Sequence, residues 1–216
     1  MFAGDLELIE NIARLVHILM LTVCFWIVIV ADMTAAKSSF KPLSGFDLKR
    51  LHTYHSALTT GLVLLWTSGI ALIGLRTGFQ LSEFSPKLIA KVVVVTILTI
   101  NAIVIGRIAL PFYERNRGKC IGDFCVSIRT RLAVCGAIST SSWLSALALG
   151  AIPTLKAASA VTLINLLGLF YLGNVVVSVV LVLMMQKREV INEIAEQRLA
   201  FETSRNISMI NVHKAA

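Results

Sequence analysis

Five long blocks of apolar residues dominate the sequence, and they restrict the chain to a small set of folds. A helix needs about 17 to 25 predominantly apolar residues to cross about 30 Å of hydrocarbon, and each block reaches that length. The blocks cover residues 12–31, 56–75, 88–110, 132–149 and 158–185. They take up half of the 216 residues, which leaves no room for a large soluble domain.

The composition also indicates a membrane protein. Apolar residues make up 56% of the chain and charged residues only 15%, with a mean hydropathy of +0.81, whereas soluble domains carry about 25% charged residues. The blocks are too long for strands and lack the alternation of a transmembrane barrel, so helices must satisfy the backbone hydrogen bonds. We predict an all-α fold, a polytopic bundle of five transmembrane helices over residues 1–185, followed by a tail over residues 186–216.

The distribution of basic residues predicts the orientation of the bundle. Segments 32–55, 111–131 and 186–216 contain 14 Lys and Arg residues, whereas segments 1–11, 76–87 and 150–157 contain three. By the positive-inside rule, the amino terminus faces outside and the carboxyl terminus faces the cytoplasm. We expect an integral protein of a bacterial inner (plasma) membrane. The net charge of +8 then reflects orientation and contact with anionic lipid, and we expect no nucleic-acid partner.

The first block is expected to remain in the mature protein. A secretory signal peptide begins with a basic region and has an apolar stretch of about 7 to 15 residues. Here the leader carries Asp5, Glu7 and Glu10, and the apolar block is longer. We therefore predict a permanent first helix.

The tail has the composition of a helix that continues past the bilayer. It contains many good helix formers and neither Gly nor Pro. A weak apolar stripe of Val190, Ile194, Ala195 and Phe201 could lie on lipid headgroups or dock a partner, such as a second copy of the chain or a larger membrane complex. A solvated extension is the equal alternative.

Several kinds of chemistry are missing from the sequence. It has no glycine-rich phosphate loop, no G-x-S-x-G elbow and no H-E-x-x-H motif. No Asp or Glu falls inside the five blocks, which counts against an ion-coupled transporter. Cys24 and Cys135 are expected to fill space within the bundle, and Cys120 and Cys125 are expected to be free thiols in the cytoplasm.

Two ionisable residues at membrane depth are the first candidates for a functional site. His17 lies in the first block and Lys91 in the third, and both are about a turn and a half from the predicted outer side. Burial of such groups is costly, so each needs a partner or a cavity. The alternatives are that His17 hydrogen-bonds a neighbouring helix and that Lys91 extends to the headgroups.

His52 and His55 form a second candidate site at the predicted inner interface. Asp47 is a plausible N-cap for the second helix, which would place both imidazoles on one face at positions i and i+3. This face can contact a cofactor or another helix. Because Lys49 and Arg50 are adjacent, binding of lipid phosphate is an equal alternative.

Three short stretches resemble the HemJ-type protoporphyrinogen oxidases and the wider CopD-like group of small membrane proteins. They are LVHIL at residues 15–19, KRL at 49–51 and LIAKVV at 88–93. In the HemJ type, a first-helix His and a third-helix Lys are functionally important and the protein binds haem b. The resemblance implies that His17 is a metal ligand to haem b and that Lys91 contacts the haem or the substrate. It says nothing about His52 and His55.

Two functions follow from these observations as hypotheses. The first is a haem-b-binding membrane protein with a redox role, which oxidises a porphyrinogen or moves electrons across the membrane, with His52 and His55 at a second cofactor site. The second is a non-catalytic subunit or scaffold of a larger membrane complex. A channel or carrier is the least favoured.

Overall fold

The structure is a computed structural model of the chain, and it consists of long helices. It describes the backbone of residues 2–39 and 41–215 and the side chains of residues 5, 7–39, 41–187, 191 and 195–199. Within these residues it contains no strand. Five helices are long and apolar enough to cross a membrane. The prediction of an all-α chain with five such helices is therefore confirmed.

The first, second and fourth blocks each lie within a longer helix, the third crosses a π-helical turn, and the fifth begins two residues before its helix. Helix α1 spans Phe2–Lys37, α2 spans Gly45–Thr77 and α3 spans Pro86–Val104, which continues through a π-helical turn, Ile105–Ala109, into the short α4, Leu110–Arg115. Helix α5 spans Val126–Ala151, and α6 spans Ala160–Ala215. The backbone of α6 thus stays helical into the tail. On the predicted apolar stripe of the tail, Ala195 is exposed, while Val190, Ile194 and Phe201 lie outside the described side chains.

Helix α2 begins earlier than the sequence predicts. Ser44, not Asp47, is the N-cap residue, and its hydroxyl accepts the backbone N–H of Asp47. The Asp47 carboxylate in turn accepts the backbone N–H of Ser44 at 3.2 Å, which completes a capping box. Asp47 therefore stabilises the start of the helix from the third position.

The third predicted span does not end at Pro111. Proline has no N–H to donate to the carbonyl of Arg107, so a regular α-helix is interrupted there. The chain inserts a π-helical turn, in which the N–H of Leu110 donates to the carbonyl of Ile105, and Pro111 falls in the first turn of α4. The helical path therefore continues to Arg115.

Successive helices of the bundle run in alternate directions. Hydrogen bonds at the two ends of the bundle show this arrangement. On the side where α1 begins, which we call the N-terminal side, Arg76 Nε donates to Glu10 Oε1 at 2.6 Å. On the opposite side, the N–H of Ile121 donates to the carbonyl of Ser38 at 2.7 Å. The α1–α2 and α4–α5 connections are thus held together.

The interior is packed around α1, α2, α3 and α5. Helix α1 packs along α2, α3 packs on α5, and α6 packs mainly on α5. Most of the apolar side chains of α6 are exposed, as expected for a helix that faces lipid. The main buried cluster comprises Leu21, Cys24, Val28, Leu62, Leu65, Val94, Leu98, Trp143, Ala146, Leu149 and Leu163.

Candidate functional site

The His17 imidazole is held by a hydrogen bond between α1 and α2. His17 Nδ1 lies 2.7 Å from Ser68 Oγ, and both side chains are half-buried. The Ser68 hydroxyl is within 2.7 Å of the carbonyl of Leu64, and when it donates its single hydrogen there, its oxygen accepts from His17 Nδ1. In that tautomer the neutral imidazole keeps a lone pair on Nε2.

Lys91 lies near His17 on the N-terminal side. The Lys91 ammonium is close enough to the His17 imidazole for the two groups to interact electrostatically. The positive charges of Lys87, Arg76 and Arg14 in turn repel that of Lys91. Lys91 is half-buried, and no described residue accepts a hydrogen bond from it. The structure thus places the two predicted residues in one region, which we call the His17 site.

The His17 site has a positive surrounding. Glu10 is the carboxylate that pairs with its basic residues, since Glu10 Oε1 accepts from Arg14 at 2.7 Å and from Arg76 at 2.6 Å. Lys87 Nζ instead donates to the carbonyl of Ile152 at 2.6 Å. The charged groups that act on Lys91 are the basic side chains of Lys87, Arg76 and Arg14, which favours an anionic group beside it.

Helices α2 and α3, which flank the His17 site, touch each other at few places. One is a hydrogen bond from Trp66 Nε1 to Thr99 Oγ1, with a length of 2.9 Å. His17 is also in contact range of the backbone of α2, because a Cβ at Gly69 would lie 3.6 Å from His17 Cε1.

The structure gives His52 and His55 different neighbours. His52 Nε2 lies 2.9 Å from Glu114 Oε1, and both side chains are 46% exposed. His55 is half-buried against the π-helical turn, where a Cβ at Gly106 would lie 2.6 Å from His55 Nε2. The pair therefore does not present two free imidazole nitrogens to a common ligand.

A cavity lies near the side opposite the His17 site, and we call it the Asp32 cavity. It has a volume of about 110 Å³. Residues Leu62, Leu98 and Trp143 border it toward the main core, and Leu51 and Leu110 border it toward the connections. Its polar or titratable lining residues are Asp32, His55, Tyr113, Cys135 and Ser139.

Asp32 was missed because it falls one residue beyond the predicted end of the first span. Helix α1 runs on to Lys37, so the carboxylate lies within the helix and is half-buried. Thr140 Oγ1 donates to Asp32 Oδ2 at 2.8 Å. The predicted block 12–31 contains no carboxylate, but helix α1 extends past it and carries Asp32, and the sequence signal was a single Asp beside a long apolar run.

Some polar side chains of the helices form hydrogen bonds to a neighbouring helix. Asn101 Nδ2 donates to the carbonyl of Cys135 at 3.0 Å, which ties α3 to α5. The Tyr171 hydroxyl donates to Ser142 Oγ at 2.8 Å, which ties α6 to α5. Asn174 instead bonds Phe170 of its own helix.

The donor set of the His17 site fits a haem iron better than a protein-only metal site. Among the residues that the structure describes, no three His, Cys, Asp or Glu side chains gather where they could hold a metal ion. Haem needs only one or two axial ligands from the protein, because the porphyrin supplies the others. An imidazole with its Nδ1–H donated to a fixed oxygen is the usual form of such a ligand.

The chain was also compared with known proteins. No family model, curated protein or solved structure matches it. No fold family or activity is therefore transferred to the chain from a relative.

Proposed function

We propose that the chain is an integral membrane protein that binds haem b at the His17 site and has a redox role. The observation that carries the proposal is the hydrogen bond between His17 Nδ1 and Ser68 Oγ, because it presents Nε2 as a ligand. Bound haem would supply a one-electron iron couple. Oxidation of a porphyrinogen is the reaction that the HemJ resemblance implies, and electron transfer across the membrane is the simpler alternative.

The surrounding residues suit an amphipathic macrocycle with acidic substituents. Lys91 has no acceptor among the described residues, so its ammonium is free to pair with a propionate carboxylate. Arg14 and Arg76 are each 47% exposed, and they add positive charge at the edge of the site.

The visible spectrum of the protein tests this proposal. The chain should purify in mild detergent with a Soret band, and dithionite should produce sharper α and β bands. Expression with supplied haem precursor ensures that haem is not limiting. A preparation that stays colourless after haem is added in excess would leave the scaffold function as the better answer.

We also propose that the N-terminal side faces outside and that the α1–α2 and α4–α5 connections face the cytoplasm. The support is the excess of Lys and Arg in those connections and in the tail. In this orientation the His17 site lies in the outer leaflet and the Asp32 cavity lies in the inner leaflet.

The native cysteines provide a test of the orientation. Cys125 is exposed in the α4–α5 connection, whereas Cys24 is buried. A membrane-impermeant maleimide should therefore leave the protein of intact spheroplasts unlabelled and should label it after permeabilisation. Cys120→Ser/Cys125→Ser should remove most of that label, because both free thiols lie in this connection, and Ser82→Cys, in the opposite connection, should label without permeabilisation. The reverse pattern would invert the orientation.

A further inference from the structure

The Asp32 cavity has a feature that the haem proposal does not use. Its wall is largely apolar, yet it contains a carboxylate on α1. Asp32 Oδ2 accepts from Thr140, and neither Oδ1 nor Oδ2 has a basic partner among the described residues. Such an uncompensated charge is expensive to bury, so the site is complementary to a cation.

The other titratable groups of the cavity do not replace that cation. His55, Tyr113 and Cys135 line the same space from α2, α4 and α5. None of them forms an ion pair or a hydrogen bond with Asp32. Among the described residues, none supplies a positive charge that balances an ionised Asp32.

The wall selects against a hydrated metal ion. Hard cations such as Ca²⁺ and Mg²⁺ need about six oxygen ligands. The side chains that line the cavity offer oxygens only from Asp32, Tyr113 and Ser139, and most of the remaining surface is aliphatic. A cation with its own apolar surface loses less solvation energy on entering such a space.

Two aromatic residues of the cavity wall also favour an organic cation. Trp143 and Tyr113 line the cavity on α5 and α4, and Trp143 is 2% exposed. Aromatic faces attract ammonium centres, most strongly when water is excluded. The volume of about 110 Å³ is somewhat below that of a cavity of about 150 Å³ that accepts benzene. The ligand is therefore no larger than tetramethylammonium.

We propose that the Asp32 cavity binds a small alkylammonium ion, with Asp32 as counter-ion and Trp143 and Tyr113 as its aromatic wall. This site lies at the other end of the bundle from the His17 site and does not depend on haem. It gives the protein a second ligand class, a small organic cation that enters near the α1–α2 and α4–α5 connections.

Binding of tetramethylammonium chloride to the detergent-solubilised full chain tests the proposal. The heat of binding should saturate at constant ionic strength, and so should the fluorescence change of Trp143 in a Trp26→Phe/Trp66→Phe background. The chain has three Trp residues, so that background isolates the reporter. Calorimetry on the unmodified chain covers the case in which the double variant folds poorly.

Asp32→Asn should weaken the affinity about 30-fold or more, because it removes one partner of a buried charge pair. The asparagine can still accept from Thr140, so the change is mainly one of charge. Asp47→Asn is the matched control, since Asp47 lies in the first turn of α2 and does not line the cavity, so the affinity should stay unchanged. Gly136→Ala should weaken tetramethylammonium but spare methylammonium, because Gly136 lines the cavity and a Cβ there meets nothing within 4 Å.

Three outcomes would overturn the proposal. One is the absence of saturable binding in both assays. Another is equal binding of tert-butanol, a neutral molecule of the same size, which would mean that the cavity is merely apolar. The third is an equal response to sodium or potassium chloride with the same dependence on Asp32, which would identify an inorganic cation site.

Discussion

Replacing His17 with alanine should remove the haem pigment from the purified protein. The proposed ligand is His17 Nε2, which the Nδ1 hydrogen bond to Ser68 leaves free. Loss of a residue that only hydrogen-bonds a metal ligand typically lowers metal affinity about 10- to 100-fold, so loss of the ligand itself should exceed 100-fold. The measurement is the haem to protein ratio from the Soret absorbance, with size-exclusion chromatography to show that the variant remains folded.

Variants of Ser68 give a graded form of the same test. Ser68→Ala removes the acceptor of the Nδ1 proton, so we expect about 10- to 100-fold weaker haem binding and a shifted reduction potential. Ser68→Thr keeps the hydroxyl and should restore both. Ser178→Ala is the matched control, because Ser178 bonds the carbonyl of Val175 in its own helix.

The two imidazoles near the opposite side of the bundle test whether haem binds there instead. His52 lies against Glu114, and His55 packs on Gly106. His52→Ala and His55→Ala should therefore keep the pigment. If either one loses it while His17→Ala retains it, the haem lies at the other end of the bundle and the proposed site is wrong.

The sequence predicted the helices well because their signal is local. An apolar run of bilayer length needs no information about its neighbours, and each of the five runs corresponds to a long apolar helix of the structure. The exact ends were harder, because the polar residues that cap a helix are outside the apolar signal. Ser44 and Asp47 both belong to one capping box, and the sequence alone favoured the wrong member as N-cap.

The partners of the buried polar residues could not be predicted in this way. Ser68 and His17 are separated by 51 residues, and Asp32 and Thr140 by 108. Whether such residues meet depends on the rotation and register of packed helices, which hydropathy does not encode. Asp32 was therefore assigned to a connection, although it faces α5 within the bundle.

A large loss of stability is expected when the contact between α1 and α2 near the His17 site is disturbed. Gly61 of α2 is buried against Cys24 of α1, and a Cβ at Gly61 would overlap with Cys24 Sγ. Cys24 is 2% exposed, so its side chain has little room to move. Gly61→Ala should therefore force the two helices apart and lower the free energy of unfolding by about 1–3 kcal/mol.

Thermal unfolding of the detergent-solubilised variants, followed by near-UV circular dichroism, measures this effect. Gly168→Ala is the matched control, because a Cβ there meets nothing within 4 Å and the stability should stay the same or rise slightly. Gly61→Ala should lower the stability less in a Cys24→Ala background than in the native chain, because that background lacks the Sγ atom that a Cβ at Gly61 would overlap. Equal destabilisation in both backgrounds would show that the Gly61–Cys24 contact does not set the helix spacing.

The same variants connect the helix spacing to the proposed function. Gly61 lies on the same helix as Ser68, about two turns away, so a wider α1–α2 spacing should lengthen the His17–Ser68 hydrogen bond. Gly61→Ala should then weaken haem binding in the direction of Ser68→Ala, and Cys24→Ala should reverse that change together with the loss of stability. Recovery of stability without recovery of haem binding would mean that the two helices do not position His17 through their spacing.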